Sequence, residues 1–128
     1  MAYPLLKQDS VMRVLIAEDT DSVRFALRMA MEYLGHEVVG IASDGQEALE
    51  KYHRVHPEVV LMDVRMPRMD GLTCTSLLAK QDPNAKVVIL TGGRTSEHEA
   101  KEAGACGFVE KPFEIEELDQ LIHSLAPA

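Results

Sequence analysis

The sequence predicts an α/β domain built on a five-stranded parallel sheet with helices on both faces. Five short apolar runs, rich in Val, Ile and Leu, alternate strictly with segments of helical periodicity. The runs lack the apolar-polar alternation of a strand with one wet face, so they read as strands buried on both sides. The length, 128 residues, is that of one domain, and the 46% hydrophobic and 27% charged composition gives core enough to exclude disorder.

Residues 1–10 carry Pro4, Lys7, Gln8 and Asp9 without a period and read as a short leader. The first strand, Val11 to Ala17, feeds a helix with Val23, Ala26, Leu27, Ala30, Met31 and Leu34 on one face. That helix starts at Thr20 or Asp21 and closes at Gly35. The second strand runs from Glu37 to Ala42, and Asp44 with Glu47 three residues later opens the next helix. The third runs from Glu58 to Asp63, and Asp70 caps the third helix. The fourth, Lys86 to Thr91, precedes a Ser96 and Glu99 capping pair and a helix that Gly104 ends. The fifth, Cys106 to Glu110, leads to a helix with Ile115, Leu118, Ile122 and Leu125 in phase, and 126–128 form a tail. The domain proper is predicted over 11–125.

Thirteen Lys and Arg against 21 Asp and Glu leave a net charge of -8, which repels polyanions, so direct nucleic-acid binding or attraction to an acidic membrane is not expected. No apolar run approaches the roughly 20 residues that span a bilayer. Cys74 and Cys106 make no metal-ligand pair, read as small buried apolar residues, and with no signal sequence suggest a reduced, cytoplasmic setting. The five histidines, His36, His53, His56, His98 and His123, show no ligand spacing and read as solvated or capping residues.

Ligands of an open α/β sheet bind beyond the carboxyl ends of the strands. There the sequence places Glu18 and Asp19 after strand one, Asp63 at the end of strand three, Thr91-Gly92-Gly93 after strand four and Lys111-Pro112 after strand five. Singly each has an ordinary explanation: acids at a helix start, a turn-bonding Asp, a β-forming Thr, a surface Lys. Together, three carboxylates repel one another unless a proton or a cation intervenes, and hard oxygen ligands suit Mg²⁺. With the metal, Asp63 has the chemistry of a nucleophile toward a phosphoryl group. Thr91 would then donate its hydroxyl and Lys111 would act as a point charge on the transferring oxygens.

This ordered set, with Asp63 inside Met62-Asp63-Val64-Arg65-Met66-Pro67-Arg68-Met69-Asp70-Gly71 and Lys111 inside Lys111-Pro112-Phe113, resembles the receiver domain of two-component response regulators. The resemblance spans residues 11–125. It implies a flavodoxin-like (βα)5 fold with strand order 2-1-3-4-5, and phosphorylation of Asp63 by the phosphohistidine of a sensor kinase or phosphotransfer protein. It further implies Mg²⁺ held by Glu18, Asp19, Asp63 and the backbone carbonyl of Arg65, and a cis bond before Pro112. By the same resemblance, Thr91 and Phe108 are the switch residues, Phe108 reporting through packing alone because it has no hydroxyl. Such a protein is a signalling module rather than an enzyme.

Residues 113–128 contain no Lys or Arg and the fourth helix is mostly acidic. The opposite-charge pairing of winged-helix regulators thus lacks one partner, and a monomer, or a dimer using another face, is expected. The output is either a protein target of a stand-alone receiver or a domain of a longer, DNA-binding regulator, since Val64-Arg65-Met66-Pro67 also occurs in receivers of that kind. An aspartyl-phosphate phosphatase would need an Asp two residues after the nucleophile, where this chain has Arg65. A pseudo-receiver acting without phosphorylation typically lacks the acids or the Lys, all of which are here.

Overall fold

Ten elements, strand and helix in strict alternation, make up the computed structural model, which describes residues 11–126. The strands are β1 (Arg13–Ala17), β2 (Glu37–Ala42), β3 (Val59–Asp63), β4 (Val87–Thr91) and β5 (Gly107–Glu110). The helices are α1 (Asp21–Tyr33), α2 (Gly45–Val55), α3 (Gly71–Gln81), α4 (Glu97–Ala103) and α5 (Ile115–Ser124). All strand pairs are parallel, in the order β2-β1-β3-β4-β5, the order expected from the resemblance. The leader, 1–10, and the last two tail residues lie outside the described residues.

Side chains alternate between the two faces of the sheet along β1, β3 and β4. Val14 and Ile16, Val59 and Leu61, and Val88 and Leu90 face one side, where they pack with Leu27 and Met31 of α1 and Leu118 and Ile122 of α5. Leu15 and Ala17, Val60 and Met62, and Val87 and Ile89 face the other, against Ala48 and Tyr52 of α2, Cys74 and Leu78 of α3 and Ala100 of α4. Every residue of β3 and β4 is buried, which is why these runs show no polar alternation in the sequence.

The capping signals act as the sequence suggests in three helices. Asp44 accepts from the Glu47 N–H at 2.8 Å, Asp70 from the Thr73 N–H at 2.8 Å, and Ser96 forms a reciprocal capping box with Glu99. Thr20 caps α1 by backbone conformation only, and α5 begins after Glu114 without a side-chain cap. Four strands start one or two residues later than the apolar runs, because Val11, Met12, Glu58, Lys86 and Cys106 precede the ladder.

Other expectations need correction. Ala26 faces solvent on α1, since the buried stripe runs through Leu27, Met31 and Leu34. Cys106 is exposed, lying just before β5, while Cys74 is fully buried as expected. The histidines are not all solvated: His56 does cap α2 in the left-handed conformation, but His36 is buried. Phe25, Met29 and Tyr33, four residues apart, stand exposed on α1, a stripe that the helical pattern did not single out.

Candidate functional site

The parallel sheet ends all its strands on one edge, and the loops after β1, β3, β4 and β5 enclose an open cleft of about 590 Å³. Glu18, Asp19, Asp63, Arg65, Thr91 and Lys111 all line it, so the sequence-predicted polar residues are brought together. Phe108 and Pro112 are not among its lining residues.

Asp63 is the last residue of β3 and only 6% exposed. Its position depends on the turn into α3: the Gly71 N–H donates to the Val64 carbonyl at 2.8 Å, and Met66 and Met69 pack into the core beneath the loop. Gly71 has no substitute here, because a Cβ would lie 2.0 Å from the Asp63 carbonyl oxygen. The glycine is required by this close approach, not by an unusual φ.

Glu18 is 1% exposed and follows β1 directly, whereas Asp19 is open to solvent. The Thr20 N–H donates to Glu18 Oε2 at 3.1 Å, and Arg24 on α1 donates to the Glu18 carbonyl at 2.8 Å. Arg24 therefore fixes the β1-to-α1 loop. Nothing in the sequence distinguished it from an ordinary helix-surface charge.

Lys111 follows β5 and lines the cleft, with a cis peptide to Pro112 and its own N–H bonded to the Thr91 carbonyl at 2.8 Å. Its ammonium donates to Glu18 Oε1 at 2.9 Å and to Asp63 Oδ1 at 3.1 Å. Burial disfavours the charged ammonium, but the bonds to Glu18 and Asp63 and their charges together outweigh this and raise the Lys111 pKa. The Asp63 carboxyl is pushed above its ordinary value by burial and then by Glu18, with Lys111 only partly opposing. At the acidic cluster itself, three carboxylates against the one ammonium bonded to them leave two negative charges, which a divalent cation would neutralise. Oxygen atoms of Glu18, Asp19 and Asp63 lie within 4.8 Å of one another, a donor set of the hard-oxygen type that fits Mg²⁺.

Thr91 is 3% exposed at the end of β4, and its Oγ1 accepts the Gly93 N–H at 3.3 Å. Its hydroxyl hydrogen remains able to donate into the cleft. Phe108 lies on β5, half-buried against the cluster that includes Met62, Ile89 and Ala100. Arg94, which no sequence motif marked, lines the cleft along with Arg65, and both are exposed.

Comparison with known proteins gives the family. The model of the response regulator receiver domain family matches residues 14–123. The chain is 40% identical over 104 residues to the chemotaxis protein CheY of Thermotoga maritima, covering 80% of this chain and 87% of that protein. It is 43% identical over 108 residues to the transcriptional regulatory protein PdtaR of Mycobacterium tuberculosis, covering 83% of this chain but 52% of the relative. Among solved structures, CheY in a CheX-CheY-BeF3-Mg complex from Borrelia burgdorferi superposes with a TM-score of 0.84 at 29% identity, over 88% of this chain and 87% of that one. The receiver domain of NarL from Mycobacterium tuberculosis gives 0.83 at 28% identity, over 89% and 94%. With a family model matched along nearly its whole length and the acidic cleft at the expected strand ends, the chain belongs to the receiver domains of response regulators, the modules of phosphorelay signalling.

Proposed function

We propose that Asp63 accepts a phosphoryl group in a Mg²⁺-dependent reaction and that the receiver, occupying residues 11–125, passes the change to a protein partner or output domain. The observation that carries this reading is the placement of buried Asp63 between the Lys111 ammonium, at 3.1 Å, and the acidic pair that fits a divalent ion. An Asp63 carboxylate oxygen attacks phosphorus, and the P–N bond of a phosphohistidine breaks as the imidazole takes the electron pair. Bound Mg²⁺, held by Glu18, Asp19, Asp63 and the Arg65 carbonyl, supplies charge neutralisation at the phosphoryl oxygens.

This chain's own residues do the rest. Lys111 already touches Asp63 and needs only a small rearrangement to place its charge on a phosphoryl oxygen, while Thr91 donates its hydroxyl to another. The move of Thr91 toward the phosphoryl group leaves room for Phe108, and the surface of α4, β5 and α5 changes through packing. The donor is a sensor histidine kinase or phosphotransfer protein. The exposed Phe25, Met29 and Tyr33 stripe on α1 offers it an apolar footing, on the helix whose start, Thr20 and Val23, lines the cleft. In this role the chain transfers no group to a further substrate, binds no nucleic acid itself, works in the cytoplasm and is a monomer.

Incubation with acetyl phosphate and Mg²⁺ tests the reading by intact mass. The chain should gain one phosphoryl group, and Asp63→Asn or removal of Mg²⁺ should abolish the gain. Uptake by Asp63→Asn equal to that of the parent would overturn it.

A further inference from the structure

On the opposite edge of the sheet from the cleft, at the junction of α1 and β2, the Met12 N–H donates to Nδ1 of His36 at 3.0 Å. A neutral imidazole that accepts at Nδ1 carries its hydrogen on Nε2. His36 is 5% exposed, and its Nε2 is buried without a hydrogen-bond partner among the described residues. Two side chains of α5 face it. The His123 ring lies 6.1 Å away, edge to face, and Asp119, 5% exposed, pairs with His123 Nδ1 at 3.5 Å.

Polar atoms of the three side chains fall within 4.8 Å of one another, a separation that also suits a metal. The tautomer argues against one. A ligating histidine donates its second N–H outward, whereas the second nitrogen of His36 receives an N–H, so the nitrogen left over carries a hydrogen in place of a lone pair.

We propose that His36, Asp119 and His123 form an acid-operated latch that fastens α5 and the entry to β1 onto the α1–β2 junction, closed while His36 is neutral and opened when His36 takes a proton. Two imidazoles share one carboxylate, which accommodates a single positive charge. His123 is the less buried of the two and is already paired with Asp119. A proton on Nδ1 of His36 places an N–H opposite the Met12 N–H, so that bond must break, and it puts a charge against the His123 ring. Burial holds the His36 pKa below its ordinary value, His123 lowers it further and Asp119 partly offsets both. From α1 the contact is the uncharged Met31 carbonyl, which accepts the backbone N–H of His36, and from β1's entry it is the Met12 amide. Asp119 and His123 are the titratable groups that act on the ring. Because the unfolded chain takes this proton first, the latch's contribution is complete above about pH 6.5 and is lost as the pH falls below it.

Ring-nitrogen NMR of the whole chain across a pH titration tests the latch. The expected result is the Nε2–H tautomer for His36 near neutrality, a titration midpoint below the ordinary histidine value, and loss of hydrogen-exchange protection at Met12 and Ile122 as His36 protonates. His36→Asn offers an oxygen to the Met12 N–H without titrating, so its melting temperature should fall less between about pH 7 and about pH 5 than that of the parent. A Nδ1–H tautomer, equal pH dependence in both proteins, or Zn²⁺ shifting both ring signals would overturn the proposal. If His36→Asn does not fold, the tautomer and midpoint in the parent chain decide.

Discussion

Replacing Gly71 by Ala adds one methyl group at the point where α3 starts under the phosphoacceptor loop. An ideal Cβ there sits 2.0 Å from the Asp63 carbonyl oxygen and 3.0 Å from Met62 Cγ, while comfortable contact is about 3.5 Å. The carbonyl is backbone and cannot turn aside as a side-chain tip would, so the loop must move by about 1.5 Å. Such a shift stretches the 2.8 Å bond from the Gly71 N–H to the Val64 carbonyl beyond use, at about 1 kcal/mol, and overpacking adds about 1–3 kcal/mol. The sum, about 2–4 kcal/mol, lowers the melting temperature by roughly 10 °C in a domain of this size. Since the displaced carbonyl belongs to Asp63 itself, the rate of phosphoryl uptake from acetyl phosphate should fall about tenfold or more. Thermal unfolding by circular dichroism and the uptake rate at saturating Mg²⁺ measure both effects. Gly92→Ala is the control, because a Cβ there meets nothing within 4 Å, and its melting temperature should stay close to that of the parent. A Gly71→Ala protein that melts with the Gly92→Ala control would refute the reasoning.

Asp63→Asn should raise the melting temperature of the metal-free protein at neutral pH. The folded carboxyl titrates above its unfolded value, so its charged form costs stability above that pKa, and the advantage of Asn should shrink as acid protonates the parent; a lower melting temperature for the variant would contradict this. Mg²⁺ should raise the melting temperature of the parent, with about 2.7 kcal/mol gained at a hundred times its Kd, and Asp19→Ala should need much more metal for the same rise. An unchanged melting temperature at saturating Mg²⁺ would count against the three acids as a metal site. Arg65, exposed at the cleft's rim, offers attacking water no carboxylate or amide, so the phosphorylated form should be long-lived and Arg65→Asn should shorten its decay. Equal decay rates would remove Arg65 from that role.

The strands were legible because both sheet faces are covered and the strand cores are continuously apolar, as in Val59–Asp63 and Val87–Thr91. Helix starts were legible where a side chain does the capping, as at Asp44, Asp70 and Ser96, and not at Glu114, where none does. The acidic cleft could be placed because a parallel sheet gathers the residues following its strands on one edge, so sequence order became spatial proximity. What stayed hidden depends on side-chain direction or on distant pairs. Arg24 reaches back to the Glu18 carbonyl, and His36 meets His123 from the far end of the chain without any local pattern. Cys106 seemed buried because it adjoins an apolar strand, yet it precedes β5 and faces outward.

The central claim is that Asp63 is the residue that receives the phosphoryl group. Borohydride reduces an acyl phosphate of aspartate to homoserine, so reduction of the chain after incubation with acetyl phosphate and Mg²⁺, followed by peptide mapping, reads the acceptor directly. The account predicts homoserine at position 63 alone, and none when Mg²⁺ is withheld. Homoserine at position 19, or a phosphorylated chain with Asp63 unchanged, would contradict it.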